Sequence, residues 1–134
     1  MSNKKILIIE DDADVRLGYK ILLTAHHYDT FFAADGLSAI GEVRKHQPDL
    51  IILDLGLPAG DGFIVLGRLR GNMNLALTPV IVVSGRDIHG NTERALKAGA
   101  QAFVQKPWND QELLATIRQL LNEGHPSVSQ PTGA

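Results

Sequence analysis

Four short apolar runs punctuate the chain: Ile6-Leu7-Ile8-Ile9, Leu50-Ile51-Ile52-Leu53, Val80-Ile81-Val82-Val83 and Ala102-Phe103-Val104. Thr30-Phe31-Phe32-Ala33 forms a weaker fifth. They have strand length, are mostly rich in β-branched or aromatic residues, and the strongest do not alternate with polar residues. Strands buried on both faces read this way, as in a parallel sheet covered by helices. The stretches between them carry helical spacing. Asp12 is placed to cap a helix with Val15, Gly18, Leu22 and Ala25 on one face. Leu37, Ile40 and Val43 predict a second helix, and Phe63, Leu66 and Leu69 a third. A fourth, around Thr92 to Ala98, is short and weakly apolar. A fifth has the stripe Leu113, Ile117, Leu120 and Leu121, and Asn109 with Glu112 resembles a capping box at its start. The pattern is strand-helix repeated five times. It predicts an α/β fold with right-handed crossovers and a doubly wound, five-stranded parallel sheet carrying helices on both faces.

Composition narrows the chemistry. The 134 residues suit one domain. The absence of cysteine excludes thiol catalysis, Cys-ligated zinc and disulfides. No apolar run exceeds four residues, so no membrane-spanning helix is expected. The start, Met1-Ser2-Asn3-Lys4-Lys5, leads directly into a strand and does not read as a signal peptide. Thirteen basic and fifteen acidic residues give a formal charge of -2, and bulk charge makes no case for nucleic-acid binding. The expected domain runs over residues 4–123. The segment 124–134, with two prolines, two serines and two glycines, reads as a flexible tail or the start of a linker.

The informative residues follow the buried runs. The run at 6–9 is followed by Glu10-Asp11-Asp12, that at 50–53 by Asp54, that at 80–83 by Ser84-Gly85, and that at 102–104, after Gln105, by Lys106-Pro107. Ligands of open α/β sheets bind at the carboxyl ends of the strands, near the point where strand order reverses. Separate strands therefore deliver carboxylates, a hydroxyl and an ammonium to one rim. Glu10, Asp11 and Asp54 in one crevice would repel one another or raise a pKa. A divalent cation relieves that, and carboxylate oxygens with water suit Mg²⁺. With Lys106 added, the site is fit to receive a phosphoryl group. Ser84 offers a hydroxyl donor, Gly85 lets backbone N–H approach, and Asp54 is the natural nucleophile.

These residues resemble the receiver domain of two-component response regulators, of the chemotaxis single-receiver type. The resemblance is carried by Ile6 to Asp12, Pro48 to Asp54, Leu57-Pro58 with Asp61-Gly62, Ser84-Gly85 and Lys106-Pro107, in order along residues 4–123. It implies the flavodoxin-like strand order 2-1-3-4-5. It implies a phosphoacceptor domain that assists its own phosphorylation and dephosphorylation but is not an enzyme. Asp54 would take a phosphoryl group from a histidine kinase or phosphotransfer protein. Mg²⁺ would be held by Asp11, Asp54 and the backbone carbonyl of Gly56, with Glu10 acting through water. Lys106 would contact a phosphoryl oxygen, and Ser84 would swing in to hydrogen-bond the group. Phe103, at the aromatic switch position, would follow Ser84 and alter the face of the fourth helix, fifth strand and fifth helix for a downstream output domain, a partner protein or a phosphorylation-dependent homodimer. The resemblance further implies a cytoplasmic signalling protein, either a stand-alone receiver or the N-terminal receiver of a larger regulator. It also implies a cis peptide before Pro107. The sequence departs from the family at Ser84 for threonine, Gly85 for alanine, Phe103 for tyrosine and Gly60 for methionine. Gly56 and Arg86 stand where the family tunes acyl-phosphate lifetime.

Blander readings attach to single residues. Asp12 reads as a helix cap, Arg16, Arg68 and Arg70 as solvated helix residues, and Trp108 as a packing or capping-region residue. Asp49 and Asp61 read as loop and capping residues. The five histidines lack metal-ligand spacing, and His26-His27 is expected at the surface. Among other functions, an aspartyl phosphatase needs a second aspartate two residues after the first, where this chain has Gly56. A flavin mononucleotide carrier needs a hydroxyl-rich first loop, where it has Glu10-Asp11-Asp12. A P-loop motif is absent. A phosphorylation-independent binding module is the remaining alternative.

Overall fold

The computed structural model describes residues 3–56, 61–72, 75, 77–85 and 88–123. Leu57, Pro58, Gly60, Arg86 and the segment 124–134 lie outside the described residues. Strands β1 (Lys5–Ile9), β2 (Asp29–Ala33), β3 (Leu50–Asp54), β4 (Val80–Ser84) and β5 (Ala102–Gln105) alternate with helices α1 (Ala13–Ala25), α2 (Gly36–His46), α3 (Asp61–Gly71), α4 (Ile88–Lys97) and α5 (Asp110–Leu120). All strands are parallel, in the order β2-β1-β3-β4-β5.

Central strands buried on both faces explain the unbroken apolar runs. Ile51, Leu53, Val80 and Val82 point into one core layer with Val65, Leu66 and Leu69 of α3. Ile6, Ile8, Ile52 and Val83 point into the other, with Tyr19 and Leu23 of α1 and Leu113, Leu114 and Ile117 of α5. Side chains alternate across a strand, so each quartet feeds two layers. Crossovers of one hand then place α1 and α5 on one face of the sheet and α2 and α3 on the other.

Helix starts follow capping chemistry. The carboxylate of Asp12 accepts from the N–H groups of Asp14 and Val15. Asp35 accepts from Ser38 N–H, and Asn109 accepts from Glu112 N–H. Each satisfies a backbone donor that the first turn cannot pair. Gly62 has a different reason. A Cβ there would lie 2.6 Å from Leu55 Cα and 2.9 Å from its carbonyl oxygen, so only glycine lets α3 begin against the chain leaving β3.

Two helical faces differ from the pattern read in the sequence. In α1 the buried residues are Tyr19 and Leu23, backed by Val15 and Leu22, while Gly18 and Ala25 are exposed. In α2 the inward face is Gly36, Ala39 and Val43, and Leu37 is 86% exposed. Two arginines expected in solvent are held by backbone instead. Arg16 Nη1 donates to the Glu10 carbonyl at 2.8 Å. Arg70 donates to the carbonyls of Leu75 and Thr78 and to Gln101 Oε1, joining the end of α3 to the approaches of β4 and β5. Arg68 and the pair His26-His27 are exposed, as expected.

Candidate functional site

The rim at the carboxyl ends of β1, β3 and β5 collects the charged residues. Glu10 follows β1 directly, Asp54 is the last residue of β3, and Lys106 follows β5. Register explains their meeting. Ile9 pairs with Leu53, Asp54 with Val83 and Ser84 with Gln105, so β1, β3, β4 and β5 end close to the same height. One carboxylate oxygen each from Glu10, Asp11 and Asp54 lies within 4.8 Å of the others. Glu10 and Asp54 are buried, while Asp11 is exposed.

Lys106 bridges the buried pair. Its Nζ donates to Glu10 Oε1 at 2.7 Å and lies 3.3 Å from Asp54 Oδ2. The Lys106 backbone N–H donates to the Ser84 carbonyl, which ties the residue to the sheet before the chain turns away through a cis Lys106-Pro107 peptide. Gly56 N–H donates to Asp54 Oδ1 at 2.9 Å, and Asp12 N–H donates to Glu10 Oε2 at 3.2 Å. One carboxylate oxygen of each buried acid is therefore steadied by backbone.

The electrostatics show a charge repulsion that the Lys106 ammonium does not remove. Burial pushes the Glu10 carboxyl up to about 7, against the hydrogen bond from Lys106, and the neighbouring Asp54 charge acts in the same raising direction. For Lys106, desolvation works downward. The Glu10 hydrogen bond and the charges of Asp54 and Glu10 outweigh it and hold the ammonium above the ordinary lysine value. Among the described residues, three carboxylates face one ammonium, a net negative charge at the rim. Hard oxygen donors from three carboxylates on two chain segments, with one ligand open to solvent, fit a small divalent cation that keeps several waters. A groove of about 570 Å³ runs from Lys106 past Trp108 to α1. A cavity of similar size, lined by Val43, Arg44, Gln47 and Leu75, contains none of these residues.

Ser84 is buried at the end of β4, one residue past the register partner of Asp54. Phe103 is half-buried on β5, opposite Val82, and packs on the α2/α3 core layer. The tight cluster is thus Glu10, Asp11, Asp54 and Lys106, with Ser84 adjacent through β4 and Phe103 farther down the sheet.

Three features escaped the sequence reading. Arg16 holds the Glu10 carbonyl, and Glu10 touches Lys106 directly, with Nζ and Oε1 at hydrogen-bond distance. Trp108 stacks on Tyr19, with ring centroids 4.2 Å apart and planes inclined by 18°. Position i+6 carried a signal for Arg16, since the first helical turn passes over the end of its own preceding strand. Nothing local signals the stack.

Comparisons with known proteins agree with this geometry. Residues 6–118 match the family described as response regulator receiver domain. The transcriptional regulatory protein KdpE of Mycobacterium tuberculosis is 38% identical over 94% of this chain, which covers 55% of that protein. The chain thus spans about half the length of that relative. The polar-differentiation response regulator DivK of Brucella anthropi is 32% identical over 90% of this chain and 98% of its own. The receiver domain of a Francisella response regulator superposes with a TM-score of 0.81 at 31% identity, covering 90% of this chain and 98% of that one. With its strand order, its rim of carboxylates and this match along nearly the whole chain, the protein belongs to the response regulator receiver domain family.

Proposed function

We propose that this domain is a phosphorylation-switched receiver in which Asp54 accepts a phosphoryl group from the phosphohistidine of a histidine kinase or phosphotransfer protein. The observation that carries the reading is the Asp54 carboxylate, buried at the end of β3 and 3.3 Å from the Lys106 ammonium inside an acidic rim. In the transfer, an Asp54 carboxylate oxygen forms the new P–O bond as the P–N bond breaks. The bonding electron pair returns to the imidazole. Lys106 lies where it can pair with a phosphoryl oxygen, at the cost of its contact with Glu10. Glu10, Asp11, Asp54 and the Gly56 carbonyl are the groups that would hold Mg²⁺, with Glu10 acting through water. A bound Mg²⁺ supplies charge neutralisation for the carboxylates and for the arriving phosphoryl oxygens. Ser84 donates to the phosphoryl group, and Phe103 follows it, changing the face formed by α4, β5 and α5. That change is a population shift between conformers of similar free energy, read by an output domain, a partner protein or a second copy.

DivK, matched over 98% of its length, supports a stand-alone receiver. KdpE, matched over 55%, supports an N-terminal receiver joined to an output domain. The chemistry at Asp54 is the same in both. The test is intact mass after incubation with acetyl phosphate, with and without Mg²⁺, on wild type and Asp54→Asn. A single Mg²⁺-dependent phosphoryl adduct, lost in Asp54→Asn, is expected. If neither an adduct nor a beryllofluoride complex forms on wild type, the domain is a phosphorylation-independent binding module.

A further inference from the structure

We infer that Tyr19, acting through Trp108, is a positioning residue that sets where Lys106 enters the acidic rim. This rests on the phosphoacceptor reading of Asp54. Lys106 sits in the three-residue link between β5, which ends at Gln105, and the α5 cap Asn109. On the β5 side the Lys106 backbone N–H is fixed to the Ser84 carbonyl at 2.9 Å. On the α5 side the fixed point is Trp108. Its indole lies flat on the Tyr19 ring, and its Nε1–H donates to Asp110 Oδ1 at 3.0 Å. Tyr19 is only 1% exposed and belongs to the α1/α5 core layer, so the platform is rigid. Trp108 packs against that layer and is partly exposed.

The lysine side chain is long and rotatable, so its reach is governed by where its backbone is anchored. A shift of the Trp108 end would lengthen the 2.7 Å contact to Glu10 and the 3.3 Å approach to Asp54. Offset stacking gives this anchor a fixed geometry that an aliphatic pair lacks. The Tyr19 hydroxyl feels Glu10 and Asp54 as well. Burial first, then those two charges, hold it protonated well above the ordinary tyrosine range. A phenylalanine at this position therefore separates ring from hydroxyl.

The experiment compares wild type, Tyr19→Phe, Tyr19→Leu and Trp108→Leu. It records the side-chain NMR signals of Lys106 and the phosphorylation rate with acetyl phosphate at saturating Mg²⁺. Tyr19→Phe should match wild type in both. Tyr19→Leu and Trp108→Leu should move the Lys106 signals and slow phosphorylation by at least about tenfold, within the roughly hundredfold loss that a 1 Å misplacement can cause. Wild-type signals and rate in both leucine variants would overturn the inference. So would an equal loss in Tyr19→Phe, which would assign the effect to the hydroxyl. If Tyr19→Leu does not fold, Trp108→Leu, at a partly exposed position, carries the test. If wild type takes no phosphoryl group, the phosphoacceptor reading fails, and the Lys106 signals alone still decide whether the stack positions it.

Discussion

The buried Glu10 carboxyl predicts that the stability of the metal-free domain falls as pH rises. Its carboxyl is raised from 4.5 to about 7 in the folded state, chiefly by burial. The folded protein therefore holds a proton that the unfolded chain has released. The stabilisation this provides is complete below about 4.5 and is lost as pH rises through about 7. Between pH 5 and pH 8 the loss integrates to about 2 to 3 kcal/mol for this group alone. That is a large part of the stability of a domain this size. Other titrating groups also contribute to the raw curve, so the quantity to measure is a difference. Urea unfolding of wild type and Glu10→Gln, without metal, should give free energies that diverge by about that amount across this range. Glutamine keeps an oxygen for the Asp12 N–H but cannot ionise. Mg²⁺ added at pH 8 should restore much of the loss in wild type, and less in Glu10→Gln, because the ion binds only the folded carboxylate cluster. Parallel pH curves for the two proteins in the absence of metal would refute the reasoning, since Glu10 would then be ionised in the fold at no cost.

Other consequences are simpler to read. Arg70→Ala should destabilise by about 3 kcal/mol, through loss of charged hydrogen bonds to Leu75, Thr78 and Gln101. Arg70→Lys should recover less than half in the same urea assay, because an ammonium cannot span the three acceptors. Gly62→Ala should cost more than about 2 kcal/mol by thermal or urea unfolding, since the clash is with Leu55 backbone and cannot be relieved by a rotamer change. Ser84→Ala should still accept a phosphoryl group but fail to change partner affinity on phosphorylation. Equal affinities for the two phosphorylated proteins, measured by titration calorimetry with beryllofluoride in place of phosphate, would contradict that.

The alternation of apolar quartets with helical stretches was legible because a strand buried on both faces needs no polar alternation. The carboxylates and the lysine were legible because they sit where those quartets stop, and parallel strands end together on one rim. Helix faces were less legible. In α1, Leu17, Ile21, Leu22 and Leu23 are all apolar, and spacing alone allows more than one stripe. The sheet chose the one with Tyr19 and Leu23, leaving Leu17 and Ile21 more than half exposed. Arg70 read as solvated because its acceptors are backbone carbonyls and a glutamine 31 residues away.

What sequence determined by itself was the class of fold, the rim and the chemical types gathered there, since each follows from local period and from the strand ends. Only tertiary structure decided that Glu10 is buried and directly paired with Lys106, that Arg16 holds the end of β1, and that Tyr19 lies beneath Trp108. Those facts depend on how far apart segments lie after packing. Their energies are set by desolvation and ring geometry, which no one-dimensional pattern contains.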